Sequence, residues 1–297
     1  ASLKKMLIFY LFDILIENGY QKKAFTSARF SYPEFDKTLF SRFSKDELQS
    51  FSEGEGWERD KKNVTDLIDF MSAAKEPFFS FMFFESDHAN YYFPKEEIIE
   101  KNYLENFDYL VTDIPSNIVG IKNRYINASH YLDSQLGQVI DYLKTSGKLE
   151  NTIVIITGDH GEEFLEKGRW GHNSTFSQEQ IRVPLIIHHP AKKIMPVESM
   201  TSHLDLPATV LAALGINDNP SQYSFGQDLY SDTDSRRSLV VSDWNGSALV
   251  TPKIKYNLSE SNSITTLDDK DLTDGTSLET TQLLSDYIKS TGDFYLK

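Results

Sequence analysis

The spacing of apolar residues predicts helices along the first half of the chain. An opening helix carries Leu11 and Leu15 on one face and ends near Gly19. Helical spacing returns over residues 60–74. The clearest signal covers residues 117–146, where apolar residues recur at steps of three and four. Each of these segments is expected to bury one face.

Between the helices lie short apolar runs that are typical of strands. Residues 23–27 fit a short strand, and the runs at 78–84, 152–157 and 183–187 are apolar on both faces. A further helix is expected from Asp205. Strands that alternate with helices predict an α/β fold with a mostly parallel central sheet and helices on both faces.

The pattern changes after Arg236. The remaining chain is expected to hold two short strands, a polar stretch and a last helix, at residues 238–242, 248–250, 259–277 and 278–289. We therefore expect two domains: a main α/β domain over residues 1–236, and a small C-terminal antiparallel α+β subdomain over residues 237–297.

Composition limits the classes of partner and the kinds of site that the chain can have. Thirty basic against forty-four acidic residues give a formal charge of −14, which works against binding to nucleic acid or to anionic lipid. The absence of cysteine excludes disulfides and thiolate metal ligands. The most apolar segment, residues 6–16, is about half a membrane span and is interrupted by Asp13, so a buried helix is expected rather than an anchor. No signal peptide is recognisable, and any membrane attachment is expected outside this chain.

Candidate ligands stand directly after two of the predicted strands. The run at 78–84 leads into Glu85-Ser86-Asp87-His88, and the run at 152–157 leads into Gly158-Asp159-His160-Gly161-Glu162. Ligands of open α/β sheets bind beyond the carboxyl ends of the strands. Glycines on both sides of the Asp-His pair allow a tight turn that can aim a carboxylate and an imidazole at one cation.

A second histidine follows at loop distance, in Trp170-Gly171-His172-Asn173. Oxygen and nitrogen ligands without sulfur fit Zn²⁺, Mn²⁺, Mg²⁺ or Ca²⁺, and the residue types alone do not choose between them. The sequence therefore predicts a site for one divalent metal ion.

The stretch from residue 152 to residue 184 resembles the metal-binding segment of sulfatases, lipoteichoic acid synthases and phosphoethanolamine transferases, members of the alkaline phosphatase/sulfatase superfamily. The most specific match is Asp-His-Gly-Glu-Glu-Phe followed by Trp-Gly-His-Asn. Further matching pieces lie at residues 31–36, 79–81, 131–137 and 203–207. More narrowly, the chain is similar to the periplasmic domain of a group of inner-membrane proteins associated with control of lipopolysaccharide synthesis.

The resemblance implies roles for individual residues. Asp159 and His160 would be metal ligands, whereas His88 and His172 would bind the phosphate- or sulfate-like group of a substrate. Glu162 and Asn173 would support the loop around them. The superfamily's nucleophile and a further acidic metal ligand have no counterpart in this sequence. The chain alone is therefore expected to be inactive.

Two classes of function follow from the resemblance. The first is a metal-dependent phospho- or sulfo-ester hydrolase or transferase in the periplasmic domain of an inner-membrane envelope-homeostasis protein. The second is a catalytically inactive regulator of lipopolysaccharide and outer-membrane lipid balance that binds lipid or protein. A phosphoester, a sulfoester or a lipid headgroup is the expected ligand. Membrane contact would come from segments outside this chain, and envelope proteins are possible partners.

Overall fold

The computed structural model describes residues 8–193, 196, 199–216, 218–231, 238–244, 246–258 and 263–272, together with residues 281, 282, 285, 288 and 289. The chain divides into two compact units. The N-terminal unit contains residues 7–153 and 189–191, and the C-terminal unit consists mainly of residues 154–188 and 192–297. The domain boundary expected at residues 236 and 237 lies outside the described residues, so that division stays a prediction.

The N-terminal unit is built on a three-stranded parallel sheet. Its helices and strands are α1 (Ile8–Glu17), β1 (Gln21–Thr26), β2 (Leu48–Ser50), α2 (Gly56–Ala73), β3 (Phe78–Phe83) and α3 (Ile114–Thr145). Strand β1 lies between β2 and β3, with Ala24 opposite both Leu48 and Phe81. The expected α/β fold with a parallel sheet is confirmed, and the helices begin and end within four residues of their predicted bounds.

Strand β3 was expected to be fully buried. Within the described sheet it is instead an edge strand, and each of its residues is half-buried. Its rings nevertheless contribute to an aromatic core. The ring of Phe79 lies 5.5 Å from that of Phe12 in α1, and the ring of Phe81 lies 5.1 Å from that of Phe40. The first pair packs edge-on and the second is tilted, and ring packing of this kind stabilises the unit beyond the burial of apolar area.

Helix α3 buries a different set of residues from the predicted stripe. Ile121 and Ala128 are buried as expected, whereas Leu132 is only half-buried. The buried face of the helix also contains polar residues that form hydrogen bonds with specific partners. Tyr131 donates a hydrogen bond to the carbonyl of Trp57 in α2 at 2.9 Å, and the Asn127 side chain accepts from the Ile99 amide at 3.0 Å. Hydropathy spacing misses such residues because their burial depends on distant partners.

The C-terminal unit begins with an antiparallel pair of strands. It contains β4 (Val154–Thr157), β5 (Glu163–Phe164), β6 (Trp170–Gly171), α4 (Gln178–Ile181) and β7 (Leu185–His188). Strand β4 pairs with β7 antiparallel, whereas parallel pairing was expected. The connection explains the difference, because it is a short β5–β6 hairpin and a single helical turn rather than a long crossover helix. Ile186 of β7 is 59% exposed, so this strand is not the buried strand that its composition suggested.

A four-stranded antiparallel sheet follows in the same unit. After helix α5 (Asp205–Ala213), strands β8 (Leu239–Ser242), β9 (Ser247–Val250), β10 (Ile254–Asn257) and β11 (Ile264–Thr266) are arranged in the order β11-β10-β9-β8. The expected C-terminal antiparallel sheet is confirmed. The last predicted helix lies mostly outside the described residues. Within the described part of the chain, no helix has the length and apolar character needed to cross a bilayer.

Candidate metal centre

Strand β4 leads directly into the candidate metal loop, which we define as residues 158–173. The start of this loop is held by two side chains. Thr157 donates to the carbonyl of Pro184 at 2.9 Å, and His203 Nε2 donates to the carbonyl of Gly158 at 2.8 Å. His203 is the first residue of the family-like piece at residues 203–207. Its contact with the loop depends on the fold, because 45 residues separate the two partners.

Gly161 is needed for close packing rather than for an unusual backbone angle. Among the glycines with positive φ, neither Gly158 nor Gly161 is found. A Cβ on Gly161 would lie 2.1 Å from the carbonyl oxygen of Glu179, and the Gly161 amide donates to the carbonyl of Gln180 at 2.8 Å. The loop therefore packs backbone to backbone against helix α4, and the expected role of these glycines in the turn is corrected accordingly.

Three side chains of the loop form a compact group of possible metal ligands. The nitrogen and oxygen atoms that His160, Glu162 and His172 offer all lie within 4.8 Å of one another. The two imidazole rings pack at 3.8 Å between centroids, with a tilt of 31°. The short β5–β6 hairpin brings about this contact, because it pairs Glu163 with Gly171 and thereby returns the chain to the start of the loop.

Hydrogen bonds orient both imidazoles. His160 Nδ1 lies 2.9 Å from the carbonyl oxygen of Gly161, and His172 Nδ1 lies 2.8 Å from Glu162 Oε2. Both partners accept hydrogen bonds, so each Nδ1 carries the proton. The Nε2 atoms are then the positions that can bind a cation or a further proton. Carboxylates and carbonyls commonly hold metal-binding histidines in this way.

Asp159 lies close to Nε2 of His160. Its carboxylate is 56% exposed and lies 3.5 Å from His160 Nε2, while Oδ1 accepts from the His160 amide at 3.0 Å. Asn173 has a backbone φ of 58°, a left-handed conformation that asparagine tolerates better than most residues. The structure thus brings together His160, Glu162 and His172, whereas Asp159 lies beside His160 but is not part of that compact group. Their individual roles stay predictions.

The donor set suits a divalent cation. Metal–ligand bonds of about 2.0–2.2 Å in tetrahedral geometry place neighbouring ligand atoms roughly 3.5 Å apart, so closure requires the ligand atoms to approach by about 1 Å. Rotation of the His160 side chain, which is 37% exposed, can supply that movement. Imidazoles combined with carboxylates favour Zn²⁺ or Mn²⁺ over Mg²⁺ or Ca²⁺, which prefer oxygen ligands alone.

One buried carboxylate of the loop, that of Glu163, was not predicted from the sequence. Glu163 is fully buried. Its Oε1 accepts from the amides of Lys167 and Arg169 at 3.0 and 2.8 Å, and its Oε2 accepts from Ser177 Oγ and Gln180 Nε2, both at 2.9 Å. Burial by itself would raise the pKa of Glu163, but the four donors outweigh burial and hold the pKa below its ordinary value. Strand alternation, which turns neighbouring glutamates to opposite faces, was the available signal.

His88 lies in the N-terminal unit, after β3. It is exposed, and its Nδ1 lies 3.5 Å from Glu85 Oε1. The loop that carries it is tied to the buried carboxylate of Asp60, which accepts from the Glu85 amide at 3.0 Å and from the Ser86 amide at 2.8 Å. Burial raises the pKa of Asp60. The predicted contact of His88 with a substrate stays a prediction.

Comparisons with known proteins identify the family to which this site belongs. The sulfatase family model matches residues 8–216. The inner membrane protein YejM of Salmonella typhimurium is 26% identical over 263 residues, which cover 87% of this chain and 39% of that protein. Lipoteichoic acid synthase 1 of Bacillus subtilis is 28% identical over 183 residues, covering 58% of this chain and 26% of the synthase.

A solved structure agrees with the fold. A Vibrio parahaemolyticus protein of the alkaline phosphatase superfamily superposes with a TM-score of 0.62 at 20% identity, covering 90% of this chain and 62% of that one. The present chain spans about two fifths of the length of YejM. The activity, substrates and partners of the whole protein are therefore matters for proposal.

Proposed function

Because this chain belongs to the sulfatase family of the alkaline phosphatase superfamily, we propose that its candidate metal loop binds one divalent cation within a site that cleaves or transfers a phosphoester or sulfoester. One observation carries the proposal. His160 and His172 pack ring against ring at 3.8 Å, and an oxygen acceptor fixes the Nδ1 of each. Two imidazoles that are held in fixed orientations at the same place can bind a cation and the anionic ligand of that cation.

Five residues of the loop have distinct roles in this proposal. Asp159 and His160 hold the cation, which would polarise the transferred group and stabilise an attacking oxygen. Glu162 holds the proton on His172 Nδ1 at 2.8 Å. Its negative charge compensates a second proton on Nε2, which can then donate to a phosphate or sulfate oxygen. Glu163 stabilises the loop through the four hydrogen bonds that its carboxylate accepts.

The second candidate is a regulator without turnover. It is favoured by the 26% identity to an inner membrane protein over most of this chain. On this proposal the domain lies on the periplasmic side of the inner membrane. The loop would bind the phosphate of a lipid headgroup, with envelope proteins as further partners, and the cation would serve binding alone.

Calorimetric titration of this chain separates the roles of the two histidines. Manganese or zinc is titrated first, and inorganic phosphate or sulfate second. We expect His160→Ala to weaken cation binding at least about 100-fold, since a ligand is lost. His172→Ala should abolish oxyanion binding while weakening cation binding less than about 10-fold. His130→Ala is the matched control, because His130 also pairs with a glutamate, at 3.3 Å from Glu97.

The outcomes distinguish the candidates. Equal loss of cation affinity in His160→Ala and His172→Ala would make His172 a ligand and overturn its substrate role. Cation binding that neither variant changes would remove the proposal. Turnover of p-nitrophenyl phosphate or p-nitrophenyl sulfate that depends on the cation supports the enzyme. Cation-dependent phosphate binding without turnover supports the regulator.

A further inference from the structure

An exposed apolar turn lies directly before helix α3 in the N-terminal unit. We define residues 108–112 as the apolar turn. It holds three consecutive large side chains, of which Tyr109 is 49% exposed, Leu110 78% and Val111 81%. Two further exposed residues, Pro115 and Val119, lie one helical turn apart on the same face of α3. Single exposed apolar residues are ordinary, whereas a group of neighbours indicates contact with another molecule.

The chain on the N-terminal side of the apolar turn is fixed to the folded unit. Phe107, the residue before the turn, is buried, and its ring stacks on that of Tyr91 at 5.7 Å between centroids. Arg124 of α3 donates to the carbonyls of Leu104 and Glu105 at 2.8 and 3.0 Å. The exposure of the three side chains is therefore a property of the fold.

Hydrogen bonds within the apolar turn satisfy its backbone amides. The Leu110 amide donates to Asp108 Oδ1 at 2.9 Å. The amides of Val111 and Thr112 donate to the Asp108 carbonyl at 3.1 and 2.8 Å, and the Asp108 amide donates to Thr112 Oγ1 at 3.2 Å. An amide without a partner is costly in a medium that contains no water. These amides have partners within the turn, which favours entry of the turn into an apolar medium.

The charges around the apolar turn limit what it can contact. Residues 102–121 include three acidic residues, Glu105, Asp108 and Asp113, and no lysine or arginine. All three carboxylates are exposed. They would repel an anionic lipid surface, and they would repel each other across an interface between two copies of this chain. The ammonium groups of zwitterionic lipid headgroups can instead pair with them.

The area of the apolar turn is too small for a stable protein interface. A buried aromatic side chain contributes about 150–250 Å². Three partly exposed side chains therefore cannot supply the roughly 800 Å² that such an interface buries on each partner. Insertion into a bilayer surface has no such requirement, because each apolar side chain that leaves water contributes by itself.

From these observations we propose that the apolar turn inserts into the surface of a zwitterionic bilayer. Leu110 and Val111 enter the upper acyl chains, and the phenol of Tyr109 lies among the headgroups, where tyrosine is enriched in membrane proteins. Transfer of two aliphatic side chains supports only weak binding, in the millimolar range of lipid. The contact would therefore orient a domain that other segments hold at the membrane. It requires neither the cation nor the substrate of the candidate metal loop.

A fluorophore placed on the apolar turn tests the contact. The chain has no cysteine, so Leu110→Cys provides a single attachment point for an environment-sensitive label. Lys144→Cys is the matched control, because Lys144 is exposed near the far end of α3, a helix of 32 residues that is about 48 Å long. With phosphatidylcholine vesicles, we expect the emission at position 110 to shift to the blue and to be quenched by nitroxides on the acyl chains. The emission at position 144 should not change.

Variants of the unlabelled chain measure the contribution of each side chain to vesicle binding by flotation. Leu110→Ser and Val111→Ser should each weaken binding about three- to tenfold, and the double variant about 10–100-fold. Ile288→Ser is the control, because Ile288 is 68% exposed in the C-terminal unit. Exchange of phosphatidylcholine for phosphatidylglycerol should weaken binding, and a chelator should leave it unchanged.

Four results would overturn the membrane contact. They are no blue shift at position 110 in millimolar phosphatidylcholine, equal shifts at positions 110 and 144, binding that the double variant leaves unchanged, and tighter binding to phosphatidylglycerol. Self-association that the double variant abolishes, without vesicle binding, would make a second copy of the chain the partner instead. Failure of His160 to bind a cation would leave the membrane contact standing, so the two proposals are tested separately.

Discussion

Glu163→Gln is the most informative substitution within the candidate metal loop. The glutamine has the same shape, but it offers one oxygen where the carboxylate offers two. If that oxygen takes the position of Oε1, the amides of Lys167 and Arg169 keep their acceptor. The new NH₂ group then faces Ser177 Oγ, which can accept instead of donating. It also faces Gln180 Nε2, which is a donor.

The conflict with Gln180 sets the magnitude. Gln180 cannot reverse its amide without loss, because its Oε1 accepts from the amides of Ser174 and Thr175 at 3.1 and 3.2 Å. One hydrogen bond to a charged group is lost, worth about 1.5–3 kcal/mol, and the others become neutral and weaker. We expect Glu163→Gln to lower the free energy of unfolding of the C-terminal unit by about 2–4 kcal/mol.

Urea unfolding at neutral pH measures this loss, and hydrogen exchange of the Lys167 and Arg169 amides reports it locally. The exposed Glu150 supplies a charge-matched control, Glu150→Gln, which should change stability by less than about 0.5 kcal/mol. The pH dependence has a definite sign. Because the pKa of Glu163 lies below its ordinary value of 4.5 in the folded protein, its stabilisation is complete above that value and is lost as the pH falls through the lower folded pKa. A Glu163→Gln variant as stable as the wild type, with unchanged exchange at both amides, would show that the hydrogen bonds of Glu163 do not stabilise the loop.

Three further predictions follow from the structure. Glu162→Gln weakens the hold on His172 Nδ1 and should lower the affinity for phosphate in the presence of the cation by about 10–100-fold, measured by calorimetry. Unchanged affinity would contradict the role of Glu162. Gly161→Ala forces a Cβ towards the carbonyl of Glu179 and should cost about 1–3 kcal/mol in urea unfolding. Gly137→Ala in the open face of α3, where nothing lies within 4 Å, should instead stabilise by about 0.5–1 kcal/mol, and equal effects of the two would argue against the packing. Burial raises the pKa of Asp60 above its ordinary value of 3.8. Protonated Asp60 therefore contributes to the stability of the folded protein below pH 3.8, and this contribution is lost as the pH rises through the folded pKa. The stability difference between wild type and Asp60→Asn should therefore change with pH above that value, and a constant difference from pH 3 to pH 7 would contradict this.

Local patterns predicted the helices well, because apolar spacing and terminal glycines act over a few residues. The opening helix, predicted to end near Gly19, ends at Glu17. The position of Asp159 and His160 after β4 could also be predicted, since a strand followed by a glycine-flanked ligand pair is visible in the sequence. These features need no knowledge of distant contacts.

The direction of β7 and the network of Glu163 could not be predicted. Antiparallel pairing of β4 with β7 depends on how the intervening loop folds. Glu163 receives two of its hydrogen bonds from Ser177 and Gln180, which are 14 and 17 residues away. The apolar periodicity of a sequence carries no information about contacts between residues this far apart.

X-ray absorption at the metal edge of the zinc- or manganese-loaded chain measures directly whether His160 binds the cation. We expect one cation per chain, with imidazole scattering that is lost in His160→Ala and kept in His130→Ala. A spectrum that shows only oxygen neighbours, or imidazole scattering that His160→Ala leaves unchanged, would contradict it.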